Sequence, residues 1–234
     1  MTSQEISAEF RKMANRTDAS ILQRFFKTGP GEYGEGDRFL GVRVPAIRNT
    51  AKQHRGTSLT HCLGLLRSPF HEERLLALFL LIDAFNQGDD AMKKSVYGLY
   101  VGNTRFINNW DLVDLSAHHI VGAWLRERSR APLQKLARSN HLWERRISIL
   151  ATFHYIKRSE FGDALRIAAM LRDDDEDLIH KAVGWMLREI GKRDQRAEEA
   201  FLKKHYRRMP RTMLRYAIER FPEPRRKQYL DGKA

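Results

Sequence analysis

A recurrence of helices constrains this chain more than any other feature. Segments 73–81 (ERLLALFLL), 145–153 (RRISILATF) and 180–188 (HKAVGWMLR) each open on a charged or polar pair and continue as an apolar run. Their second residues, Arg74, Arg146 and Lys181, stand 72 and 35 positions apart, and half of 72 beyond Arg74 falls on Trp110. Four helices spaced near 36 residues leave room each time for a helix–turn–helix unit. That is the pattern of an α-solenoid of HEAT or armadillo type.

The rest of the sequence agrees. Helical periodicity covers most segments, and alternating strand patterns are missing. Thr2 with Glu5 reads as a capping box for a helix over 6–16, Asp18 as an N-cap for 21–27, and Pro45 and Gly56 as the limits of 44–56. A long buried helix spans 71–88, and further helices are expected over 110–127, 141–158 and 176–191. The expected fold is all-α, with residues 1–234 as a single helical-repeat domain. One cysteine, Cys62, excludes a disulfide framework, and the apolar run 75–82 is too short to span a bilayer. The start of the chain lacks the pattern of a signal peptide, so a cytoplasmic protein is expected.

Charge supplies the functional clue. With 42 Lys and Arg against 29 Asp and Glu, the chain carries +13 and suits a polyanionic partner, nucleic acid first. Equivalent helices of stacked repeats line one surface, so Arg74, Trp110, Arg146 and Lys181 would form a row. Asp114 and Trp185 come one turn later. A groove of cations, indoles and one carboxylate suits a nucleic-acid backbone with chemistry done on it. Other signals carry less. The stretch GPGEYG (29–34) has no preceding strand and reads as a connector. His118 and His119, being adjacent, are expected on different helix faces. The acidic run 173–177 reads as helix capping rather than as a metal site. No metal or cofactor motif is found.

The stretches RFLGVRVPAIR (38–48), NNWDLVDLSAHHIVGAWL (108–125), NHLWERRISIL (140–150) and IHKAVGWMLREIGK (179–192) resemble the AlkD family of HEAT-like repeat DNA glycosylases. The resemblance implies a C-shaped solenoid with a concave basic groove that holds duplex DNA. It also implies excision of cationic N3- and N7-alkylated purines. The family's catalytic aspartate matches Asp114, its two groove tryptophans Trp110 and Trp185, and its phosphate-contacting arginine Arg146. The chain departs from the family pattern at Arg43, where the family has Gln, at Phe25 for Tyr, and at His154 for Lys.

These readings lead to one expected mechanism. A monofunctional glycosylase would use Asp114 to stabilise an oxocarbenium-like sugar and position water, and Trp110 and Trp185 to face the sugar. Arg146 would hold a phosphate and orient Asp114, with Arg43, Arg74, Lys181 and His154 as further DNA contacts. The expected partner is double-stranded DNA containing alkylated bases, bound by a monomer. The alternative is a non-catalytic DNA-structure-binding protein on the same scaffold.

Overall fold

The structure is a computed structural model that describes residues 1–234. It is all-helical, and its one β-bridge joins Arg38 to Phe70. Contacts divide the chain into two compact units, Met1–Leu112 and Val113–Ala234. The first contains α1 (Ser3–Arg11), α2 (Arg16–Phe25), α3 (Val44–Gln53), α4 (Leu59–Leu66), α5 (His71–Gln87) and α6 (Asp90–Val101). The division falls inside α7 (Trp110–Asp114). The second contains α8 (Ala123–Leu125), α9 (Ala131–Ala137), α10 (Leu142–Ala151), α11 (Phe153–Ile156) and α12 (Gly162–Met170). It continues with α13 (Asp177–Gly191), α14 (Gln195–His205), α15 (Arg211–Ala217) and α16 (Glu223–Leu230).

In the first unit α5 is the central element, buried along its whole first half from His71 to Leu81. It packs on α3, α4 and α6, and Leu75, Leu78 and Leu81 on α5, Ile47 on α3, Leu65 on α4 and Val96 on α6 are all buried. Its two leading glutamates face inward and tie down the chain before it. The Glu72 carboxylate accepts the backbone N–H groups of Leu40, Gly41 and Val42 at 2.8–3.2 Å. Gly41 is required there: its φ is +81°, and a Cβ would come within 2.1 Å of the Asn15 carbonyl oxygen. Cys62 lies in this core with no exposed surface, and burial pushes its thiol up to about 12. In the second unit α13 is the central element, packed on α10, α12, α14 and α15.

Three helix starts share one construction. At residues 68, 139 and 174 a side-chain oxygen accepts the N–H two residues on, from Phe70, His141 and Glu176 at 3.0–3.1 Å. Six residues after each, a side chain reaches back to the same residue's carbonyl: Arg74 to Ser68, Arg145 to Ser139, His180 to Asp174. This repeated joint sets the register at 74, 145 and 180. Arg146 and Lys181 are equivalent by this register as expected, but the position of the first helix that corresponds to them is buried Leu75 rather than Arg74.

Several expected boundaries shift. Asn15, not Asp18, caps α2 by accepting the Asp18 N–H. The acidic run stands at the start of α13 as expected, with Asp177 in its first turn, while Asp174 accepts the Glu176 N–H and pairs with Arg145 at 2.6 Å. The helix expected over 110–127 is broken: α7 stops at Asp114, and His118–Gly122 is a π-helical turn leading into α8. The cause is close packing. A Cβ on Gly122 would lie 2.2 Å from the Ala151 carbonyl oxygen, so the backbone passes α10 at glycine distance.

Candidate functional site

Asp114 ends α7, and its carboxylate meets Arg146 of α10 in a fork: Nε to Oδ1 and Nη2 to Oδ2, both 2.8 Å. A third guanidinium nitrogen, Nη1, donates to the Leu178 carbonyl at the start of α13. Arg146 is only 5% exposed, so the planar fork is locked and orients the carboxylate. This placement favours the orienting half of the role expected of Arg146; its burial leaves the phosphate-contacting half without visible means.

Trp185 lies half-buried on α13, one turn before Glu189, and its indole N–H donates to Glu189 at 3.3 Å. Burial would keep the Glu189 carboxyl neutral, but Lys192 at 2.5 Å and Arg193 at 3.1 Å overcome this and hold it below its usual range. Beside Trp185 is the Phe153 ring at 5.9 Å, over which Lys157 places its ammonium at 4.2 Å. Glu189 and Phe153 carried no sequence signal of their own. Only the helical i, i+4 spacing from Trp185 pointed to the former.

The π turn brings His118 and His119 together, with ring centroids 3.9 Å apart, where a regular helix would have splayed them. Burial, then His119 and Lys157, push the His118 imidazole down to about 3. Burial, then the neighbouring Arg158, pushes His154 down to about 4. An imidazole held this low carries no charge at neutral pH, so any contact of His154 with DNA would be through a hydrogen bond rather than an ion pair.

In the first unit Trp110 stacks on Phe26, centroids 5.1 Å apart and planes 17° from parallel. Phe25 meets the indole edge-on at 6.0 Å and remains 61% exposed. Behind Phe26 lie Phe39 and His71, stacked at 4.5 Å. The His71 imidazole bridges two buried carboxylates, Nδ1 to Asp37 and Nε2 to Asp111, each at 2.8 Å. Asp37 takes in addition Arg74 at 2.7 Å. Burial opposes charge on His71, yet Asp111 and Asp37 raise it to about 9. Asp111 is thus structural. Arg74, expected to contact DNA, is 4% exposed with its Nη2 on Asp37, so it does not stand at the surface as a contact for a duplex backbone. Asp37, in the loop just after the glycine-rich stretch, carried no signal of its own in the sequence.

The remaining candidates are at the surface. Arg43 is 62% exposed, with its guanidinium on Asp18 at 2.6 Å, and Lys181 is half-exposed over Asp177 at 2.7 Å. Surface pairs of this kind are weak and can exchange for phosphate.

Comparison with known proteins follows the same lines. A predicted DNA alkylation repair enzyme from Enterococcus faecalis superposes with a TM-score of 0.70 at 17% identity, over 90% of this chain and 97% of that one. The smu.31 protein of Streptococcus mutans UA159 superposes with a TM-score of 0.54 at 16% identity, over 94% and 99%. These likenesses establish a shared fold. No curated protein sequence matches. The family model described as DNA alkylation repair enzyme matches residues 6–221, nearly the whole length, and the chain belongs to that family.

Proposed function

We propose that this protein is a monofunctional DNA glycosylase that removes cationic N3- and N7-alkylated purines from duplex DNA in base excision repair. The observation that carries this reading is Asp114, a partly buried carboxylate oriented by a bidentate Arg146, in the same unit as the half-exposed indole of Trp185. Family membership supports a role in DNA alkylation repair.

An alkylated purine that already carries positive charge needs no general acid. As the bond from C1′ to the base nitrogen breaks, its electron pair neutralises the base, which leaves. The sugar becomes oxocarbenium-like, and water adds to C1′ and gives up a proton. One carboxylate serves this reaction, where ordinary glycoside hydrolysis uses two. Asp114 supplies negative potential where positive charge develops and accepts a hydrogen bond from the attacking water. Trp185 offers a ring face to the cationic sugar, worth about 0.5–2 kcal/mol. Trp110 is a proposed aromatic contact of the first unit with the DNA. Arg146 keeps the carboxylate aimed. Arg43 and Lys181 are the proposed exchangeable phosphate contacts.

The test is release of free base from DNA containing N7-methylguanine and 3-methyladenine. Wild type is expected to release both, and Asp114→Asn to be slower by about a hundredfold or more, as for loss of a key electrostatic group. Undiminished release by Asp114→Asn would overturn the mechanism. The fork between Asp114 and Arg146 would equally serve a non-catalytic DNA-binding protein as a structural tie. That reading predicts DNA binding without base release by the wild type.

A further inference from the structure

We propose that a recess in the first unit is a binding site for a phosphate ester. The recess has a volume of about 300 Å³ and is bordered by Arg67, Arg74, Arg105, Phe106 and Asn108. This is the lower end of the size range of small-molecule sites, and more than a bare anion fills, so it has room for a sugar behind a phosphate.

Two buried polar atoms at this site lack a partner in the protein: Nε of Arg74 and Oδ1 of Asn108. Buried polar groups are rarely left this way without a ligand or water to satisfy them. The Arg74 Nε–H is a donor, and a half-turn of the Asn108 amide offers a second donor in place of its oxygen. Arg67 and Arg105 are exposed and make no ion pair; their guanidinium carbons lie 6.0 and 4.7 Å from the centre of the Phe106 ring. They rest on an apolar platform with their donors unspent.

Two carboxylates also border the recess, and both are engaged. Asp37 is held by Arg74 and His71, and Glu35 accepts the Gly31 N–H at 2.9 Å. The charge left over is that of Arg67 and Arg105 against Glu35 alone, a net positive mouth above an inward-facing donor. Guanidinium forks of this kind match phosphate oxygens in planar, paired contacts. The source of the ester is either a free sugar phosphate or a phosphorylated DNA end.

Isothermal titration of the full-length protein with deoxyribose 5-phosphate tests the site. Saturable binding is expected, weakened about tenfold or more in R67A/R105A, both exposed positions whose loss leaves the core intact. Asn108→Asp, which places a carboxylate at the recess, is expected to weaken it likewise. Competition by a 5′-phosphorylated duplex, but not by its 5′-hydroxyl twin, assigns the source to DNA ends; competition by neither assigns it to the free ester. Absence of saturable binding, or unchanged affinity in R67A/R105A, overturns the proposal. The titration involves no base release, so failure of the glycosylase reading leaves this result standing.

Discussion

The His71 imidazole sits between two carboxylates where solvent does not reach, and its charge decides whether the first unit can keep Asp37 and Asp111 inside. Its folded pKa of about 9 lies above the ordinary 6.5, so its stabilisation is complete below about 6.5 and is lost as pH rises through about 9. Denaturant midpoints are expected to fall between pH 7 and 9.5. In His71→Ala that decline should largely vanish, with a loss of about 3–5 kcal/mol at neutral pH from the buried carboxylates left unpaired. His118 acts with the opposite sign. Its folded pKa, about 3, lies below the ordinary value, so the unfolded chain takes up a proton first as pH falls below about 6.5. His118→Asn is expected to flatten the acid limb between pH 6 and 4 in the same denaturant series. At this scale Asp114, Trp110 and Trp185 stood out in the sequence because a carboxylate and indoles are unusual inside helical repeats. The Asp37–His71–Asp111 bridge did not, since its members are 34 and 40 positions apart and no periodicity links a loop aspartate to a helix start.

Among the elements, the π turn at His118–Gly122 departs furthest from simple periodicity. The apolar spacing of 110–127 is compatible with one uninterrupted helix, and only contact with α10 reveals why it breaks. Gly122→Ala would push a methyl against the Ala151 carbonyl and the His154 Cβ, 2.2 and 2.7 Å from where it would sit. A loss of about 1–3 kcal/mol is expected, read as a lowered thermal midpoint. Because the π turn follows closely on Asp114 at the end of α7, the same variant should also slow base release. The existence of α5, α10 and α13 was legible from their apolar runs. Their register was legible only to within one residue, because Arg74 and Arg146 are both arginines that follow a charged residue. The hydrogen bonds from Arg74, Arg145 and His180 to carbonyls six residues back, which distinguish them, are tertiary facts about loops.

For the molecule as a whole, the excess of basic residues is the property most exposed to experiment. If the +13 charge serves a polyanion, DNA affinity is expected to drop about tenfold or more between roughly 50 and 200 mM salt. Fluorescence anisotropy with a labelled duplex measures this, and a flat response would leave the charge as a matter of solubility alone. Composition announced this property at once. It did not say which cations are at the surface: Arg74 and Arg146 add to the sum yet are spent inside on Asp37 and Asp114. Cys62 has a further consequence. A lone thiol with no exposed surface and a pKa pushed to about 12 is nearly inert to alkylating dyes. The native chain is thus a silent background for site-directed labelling. A cysteine introduced at exposed Phe25, beside Trp110, would be the sole reactive handle, and a dye there would signal DNA arrival at that indole.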